Sequence, residues 1–312
     1  MLNQESKNLL EKRAKLNIRP ISELTHTQAR DQFKKMNLIT KNILPKIDLS
    51  SVEDKKIFVN DAEINIRIFT NNEDINQPLL INFHGGGWFQ GDLDTDDYMC
   101  RYICKNSRFK IISVDYRLAP ENKFPTGLND CYEAVKYIAR NHKEFNIDAN
   151  NISLCGTSAG GNLVAALSIK FRNVHEVKIK NQILFTPVLD YDFTTESYKE
   201  FETGFGLEKS NMIFFWEQYL GMAPENFPID RHKFFAPLRD DINNNLPRTY
   251  IITAGCDVLR TEAELYHEKI KDESRSIIEN YEGAIHGFNN NIGIISDAET
   301  CIKKVIDFLI GT

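Results

Sequence analysis

From residue 56 the apolar positions recur every second residue: Ile57 and Val59, then Ile64, Ile66 and Ile68. That period predicts two strands, and Asn60-Asp61 between them predicts a hairpin turn. Further on, apolar runs suited to buried strands occupy 79–83, 109–114, 151–155, 182–186, 249–253 and 276–281. Between them the period lengthens to that of a helix, over about 96–106, 128–141, 159–172, 261–271 and 297–310. Strands alternating with helices predict the α/β class: a mostly parallel sheet of about eight strands, covered on both faces, with the hairpin as an antiparallel edge. Two stretches stand outside the alternation. Residues 2–16 and 24–38 read as polar amphipathic helices with thin apolar faces at Leu9, Leu10, Ala14, Leu24, Phe33 and Met36. Residues 187–247 hold a helix over about 208–220 and many aromatics, and are too long for a connecting loop. They are expected to pack as an insertion over one end of the sheet.

Composition narrows the class of function. With 42% hydrophobic and 26% charged residues the chain is expected to fold rather than stay disordered. A net charge of -6 argues against a broadly basic nucleic-acid surface. No stretch is long and apolar enough to cross a bilayer, so no integral membrane segment is expected. The N-terminus lacks the apolar core of a secretory signal, so a cytoplasmic location is expected. The six cysteines Cys100, Cys104, Cys131, Cys155, Cys256 and Cys301 form no C-x-x-C pair and are expected as buried free thiols. Asp92-Leu93-Asp94-Thr95-Asp96 resembles the start of a calcium loop. Asp97 stands where that loop needs glycine and Ile103 where it needs glutamate, so the run is expected to be a solvated acidic loop leading a helix. The many asparagines are spread out and read as background composition.

The chemistry lies where ligands collect in open α/β sheets, beyond the carboxyl ends of strands. The strand at 151–155 runs into Gly156-Thr157-Ser158-Ala159-Gly160-Gly161 and then a helix. A serine on a tight strand-to-helix turn is pushed outward as a nucleophile. The strand at 79–83 runs into His84-Gly85-Gly86-Gly87-Trp88. Consecutive glycines there are costly unless backbone amides must approach something. The N–H groups of Gly85, Gly86 and Ala159 are the candidate oxyanion hole, and His84 is expected to support that loop rather than act as a base. Asp257 follows the strand at 249–253 and His286 the one at 276–281. Serine, acid, histidine is the chain order of a hydrolytic triad on such a sheet. Asp190 and Asp192 are the rival acids. No metal or organic cofactor is expected.

With these motifs in hand, the sequence resembles the hormone-sensitive-lipase-like branch of the α/β-hydrolase carboxylesterases, from about residue 78 onward. The resemblance rests on His84-Gly85-Gly86-Gly87, Gly156-Thr157-Ser158-Ala159-Gly160-Gly161 and His286-Gly287-Phe288. It rests most specifically on Asp115-Tyr116-Arg117-Leu118-Ala119-Pro120-Glu121 with Phe124-Pro125. It implies an α/β-hydrolase fold, with 1–312 as one catalytic domain and 1–50 and 190–235 together forming a helical cap over the active site. It also implies hydrolysis of a small-molecule carboxylic ester through an acyl-enzyme on Ser158, with Asp257 and His286 as partners. Two departures are present: Thr157 stands where the family commonly has Asp, and Arg260-Thr261 where it commonly has another Asp.

Two other readings share the fold: a small-molecule receptor, disfavoured because His286 is present, and an amide hydrolase with the same triad. Trp88, Phe89, Phe193, Phe201, Phe205, Phe214, Phe215 and Trp216 are candidates to line an acyl pocket, though most are expected to serve as core of the cap helix. The chain has no strongly apolar exposed helix to bind a lipid surface, so short-acyl esters are the expected substrates. The sequence leaves a homodimer open.

Overall fold

The computed structural model describes residues 1–41, 44–72, 74–241 and 244–311. Residues 42 and 43, within the expected N-terminal cap segment, lie outside the described residues, as do 242 and 243 within 187–247. In chain order the elements are α1 (Gln4–Ala14), α2 (His26–Lys41), β1 (Ser51–Val59), β2 (Ala62–Thr70), β3 (Gln77–Phe83), α3 (Asp97–Asn106) and β4 (Lys110–Asp115). There follow α4 (Thr126–Arg140), α5 (His142–Phe145), β5 (Ile147–Thr157), α6 (Ala159–Phe171), β6 (Ile179–Phe185), α7 (Glu196–Glu200) and α8 (Lys209–Leu220). The chain closes with β7 (Arg248–Cys256), α9 (Arg260–Ser274), β8 (Ile277–Ile285) and α10 (Ser296–Ile310).

The eight strands form one sheet in the order β1-β2-β4-β3-β5-β6-β7-β8. β2 runs antiparallel to both β1 and β4, and all other pairs are parallel. The hairpin turns at Asn60, whose positive φ of 49 asparagine tolerates better than most residues. Its alternation holds through Ile57, Val59, Ile64 and Ile66, all buried, and then slips. Ile68 is half-buried, while Phe69 beside it is fully buried under the Arg101 guanidinium of α3. The sheet is covered on both faces at that point, so a strict period of two no longer marks the core.

From β3 the chain steps outward to β4, then returns across β3 to β5. Right-handed crossovers made in opposite directions lie on opposite faces of a sheet. α3 therefore covers one face, joined to α10 by the Tyr102 hydroxyl donating to Glu299 at 2.9 Å. α4 covers the other, joined to α6 by Tyr132 stacked on Phe171. The reversal opens a crevice beyond the ends of β3 and β5, the switch point where ligands bind in such sheets. β3 is buried along its whole length, and α6 is buried at every position but Lys170. A helix so enclosed needs no polar face, which is why its sequence is apolar nearly all round. Among the described residues, no helix is long and apolar enough to cross a membrane.

The stretch 187–247 is less regular than the single predicted helix suggests. Besides α8 it holds α7 and 3-10 turns at Pro224–Asn226, Ile229–Phe234 and Pro237–Arg239. These short elements carry too few residues to show a period. Their interior is aromatic: Trp216, Phe227 and His232 each pack edge to face or tilted against Phe235.

Candidate active site

Ser158 sits between β5 and α6 with φ 58 and ψ -118, a conformation that costs energy for a residue with a side chain. Three backbone bonds hold it there. Its N–H donates to Phe185 O at 2.8 Å, and its carbonyl accepts from Asn162 N at 3.0 Å and Val188 N at 3.3 Å. The flanking glycines are required by close approach. A Cβ on Gly160 would lie 1.9 Å from the Phe83 carbonyl at the end of β3, and one on Gly156 would lie 2.4 Å from Gly160. The turn thus presses α6 onto the ends of two neighbouring strands and leaves the serine pointing out of the sheet. Ser158 is 8% exposed, and its hydroxyl hydrogen-bonds to no described residue.

The glycine loop lies against that serine. A Cβ on Gly85 would stand 3.0 Å from the Thr157 carbonyl and 3.6 Å from Ser158 Cβ. Gly86 adopts φ 120, and there a Cβ would meet the Gln90 carbonyl at 2.1 Å. His84 supports the loop. Its Nδ1 lies 2.8 Å from the Gly85 carbonyl, an acceptor, so Nδ1 carries the proton. Its ring stacks on Tyr116, whose hydroxyl donates to the His84 carbonyl at 2.8 Å. In a trans peptide the carbonyl and the next N–H point opposite ways. Drawing the Gly85 carbonyl onto the His84 ring therefore turns the Gly86 N–H the other way. The N–H groups of Gly85, Gly86 and Ala159 donate to no described residue, and Ala159 opens α6, whose N-terminus carries partial positive charge.

On the other side of the crevice, β7 delivers Asp257 and β8 delivers His286. His286 Nδ1 lies 2.7 Å from Asp257 Oδ2. The acid is almost fully buried, and its other oxygen accepts from Leu259 N at 3.0 Å. A carboxylate on Nδ1 leaves Nε2 of a neutral ring as a proton acceptor. The rival acids are occupied elsewhere. Asp190 pairs with Arg239, and Asp192 accepts from the backbone and hydroxyl of Thr194 at 2.9 and 2.6 Å.

Comparison with known proteins agrees with this fold. A family model described as the alpha/beta hydrolase fold matches residues 80–290. An arylesterase of Saccharolobus solfataricus is 31% identical over 289 residues, covering 92% of each chain. A carboxylic ester hydrolase, LipN, of Mycobacterium tuberculosis is 36% identical over 224 residues, 68% of this chain and 57% of that one. A solved esterase of Pyrobaculum calidifontis superposes with a TM-score of 0.89 at 30% identity, covering 99% of this chain and 98% of its own. This chain belongs to the α/β-hydrolase family, in its hormone-sensitive-lipase-like branch.

Several residues around the site of this hydrolase were not singled out by the sequence reading. Asn289, three residues after His286, donates through Nδ2 to Thr157 Oγ1 at 2.9 Å. The Thr157 hydroxyl, standing where the family commonly has Asp, therefore joins the histidine loop to the serine turn as a neutral acceptor. Asn290 donates to Asp96 Oδ1 at 2.7 Å, and Asn82 donates to the other oxygen at 3.2 Å. Two expectations are corrected here. The asparagines are not all background, and the run Asn289-Asn290-Asn291 directly after His286-Gly287-Phe288 was the available signal. The acidic run is not wholly solvated: Asp96 and Asp97 are buried, because amides bind the first and Arg67 and Arg101 bind the second. Burial raises the Asp96 pKa.

The second departure acts at the start of α9. Arg260 donates to the Gly255 carbonyl at 2.9 Å and lies over the Phe201 ring, while Thr261 exchanges hydrogen bonds with Ser197 of α7. Of the aromatic candidates, Trp88, Phe89, Phe201, Phe215 and Trp216 are buried in packing, while Phe193, Phe205 and Phe214 are half-buried.

Proposed function

We propose that this hydrolase is a serine carboxylesterase that cleaves short-acyl esters through an acyl-enzyme on Ser158. The observation that carries the reading is the hydrogen bond between half-buried His286 and buried Asp257, beyond the ends of β8 and β7, on the same sheet whose β5 ends in a serine held outward at the switch point. His286 Nε2 takes the Ser158 proton as Oγ attacks the ester carbonyl. Asp257 keeps the ring in the tautomer that can accept this proton and stabilises the imidazolium that forms. The resulting oxyanion is met by the N–H groups of Gly85, Gly86 and Ala159. They are held in place beforehand, so no reorganisation is needed in the transition state. His286 then protonates the leaving alkoxide, and the alcohol departs. Water, activated by the same nitrogen, attacks the acyl-serine and releases the acid and free Ser158. Catalytic hydrogen bonds to a serine commonly tighten only once substrate is bound.

The proposal extends to organisation. Residues 1–312 form one catalytic domain in which 1–50 and 190–235 cap the site. In support, Phe89 beside the glycine loop touches His26 of α2 and Phe214 of α8. Six buried thiols suit a reducing, cytoplasmic location, and sedimentation of the purified chain tells monomer from homodimer. Activity is tested with p-nitrophenyl esters from acetate to palmitate. Ser158→Ala and His286→Ala are each expected to lower kcat by about 10⁴ or more while leaving the fold intact. A fluorophosphonate is expected to label the wild type at Ser158 only. Undiminished turnover by either variant would falsify the assignment, and activity rising from butyrate to palmitate only above micelle formation would refute the short-acyl preference.

A further inference from the structure

One side chain of α2 grips the backbone around the glycine loop. Arg30 Nε donates to the Phe89 carbonyl at 2.9 Å, and its Nη2 donates to the Ala119 carbonyl at 3.0 Å. The same guanidinium forks onto Glu121 through Nη1 at 2.9 Å and Nη2 at 2.7 Å. Phe89 and Ala119 are buried, and they belong to the two segments that follow β3 and β4. Those segments are also tied directly, Ala119 N–H to the Trp88 carbonyl at 2.9 Å. Only a planar fork with several fixed donors can serve two carbonyls and a carboxylate at once, and arginine is the side chain that has one.

The held carbonyl has little slack relative to Gly86. The N–H groups of Phe89 and Gln90 both return to the Gly86 carbonyl, at 3.2 and 3.0 Å. With Gly86 pressed against the Gln90 carbonyl, residues 86–90 form a closed coil. A displacement at Phe89 is therefore passed to Gly86. On the far side the Phe89 ring is seated between His26 of α2 and Phe214 of α8, with ring centroids 5.5 and 5.3 Å away. Lys34, one turn further along α2, makes a contrasting contact. It pairs with Asp92 at 2.9 Å, but its side chain is 60% exposed. An exposed ion pair contributes little by itself.

We propose that Arg30 is a positioning residue for ester hydrolysis: by holding the Phe89 and Ala119 carbonyls it fixes the 86–90 coil and with it the direction of the Gly86 N–H. The inference rests on the oxyanion role proposed above for that amide. It makes α2 part of the machinery that orients the loop.

The test combines kinetics on p-nitrophenyl butyrate with inhibition by a trifluoromethyl ketone, whose serine adduct presents an oxyanion to the same amides. Arg30→Met is expected to lower kcat about tenfold and weaken the ketone by about the same factor, with KM changed less than about twofold. Arg30→Lys should resemble Arg30→Met more than the wild type, because one ammonium cannot hold both carbonyls. Glu121→Ala, which leaves the packing of α2 in place, should show a smaller fall of the same kind, and Lys34→Met should match the wild type. The inference fails if Arg30→Met keeps wild-type kcat and ketone affinity, if only KM rises, or if Lys34→Met shows an equal loss. Should Arg30→Met not fold, unchanged kcat and ketone affinity in Arg30→Lys and Glu121→Ala overturn it equally. A wild type inactive on esters would instead overturn the proposed function, and this inference with it.

Discussion

Glu262 shows how a single buried carboxyl organises the acid side of the crevice. It stands on the first turn of α9, and its Oε1 accepts from Leu189 N at 2.6 Å and Asp190 N at 3.3 Å. Its Oε2 is buried with no partner among the described residues. It thereby fixes the backbone of Asp190 while Arg239 takes that residue's side chain, so the rival acid is held away from His286. Burial raises the Glu262 pKa well above its ordinary value, with repulsion from Asp190 and Asp257 adding to the shift. The sign follows: the folded state favours the protonated acid. Its contribution is complete below the ordinary carboxyl range and is lost as pH rises toward the raised folded value. Glu262→Gln keeps the accepting oxygen and removes the titration. Its stability relative to wild type is expected to improve as pH rises above the ordinary carboxyl range, by at most about 1.4 kcal/mol per pH unit, and the difference is expected to vanish below that range. Urea unfolding at each pH measures this, and a difference that stays constant with pH would contradict it.

At the scale of elements, the contact that builds the site is α6 pressed against the end of β3. Helix propensity alone says that Gly160→Ala should stabilise α6 by about 1 kcal/mol. The geometry says the opposite, because the new methyl would lie 1.9 Å from the Phe83 carbonyl, a backbone atom that cannot swing aside. The expected outcome is destabilisation by roughly 3 kcal/mol or more with loss of esterase activity, read by thermal unfolding and turnover. A stabilised, active variant would show that α6 can retreat. This element pair was legible in the sequence: a buried strand, a glycine-rich turn and an apolar helix each leave a local signature. The last strand is a correction: 276–281 reads as a buried run, but β8 is the edge of the sheet, with Ile277 exposed and Ile278 and Glu279 only half-buried. What escaped were contacts between residues far apart in the chain and made by ordinary side chains. Arg30 reaches Phe89 from an unremarkable polar helix, and Asn289 reaches Thr157 across the crevice. The 3-10 turns at 224–239 escaped for a different reason, being shorter than any period that could reveal them.

Across the whole molecule, the two ends of the chain close on each other. Asn3 N–H donates to the Gly283 carbonyl of β8 at 3.0 Å, and its side-chain amide donates to Asp297 of α10 at 3.3 Å. Glu5 accepts from the backbone and hydroxyl of Ser296 at 2.8 and 2.9 Å. A proposed cap tied to the last strand and the last helix has little freedom to melt apart from the sheet. The chain carries its own probes of this, since it has two tryptophans and both lie at the junction. Trp88 belongs to the glycine loop and Trp216 to α8; their rings are 4.6 Å apart, and both are buried. Tryptophan emission therefore reports the cap-to-loop junction, while far-ultraviolet circular dichroism reports the sheet and its helices as a whole. If 1–312 is a single cooperative unit, urea should shift the emission, unfold the secondary structure and abolish esterase activity along one superimposable curve. If the emission and the activity change at clearly lower urea than the dichroism, the cap unfolds on its own and the single-domain reading is wrong.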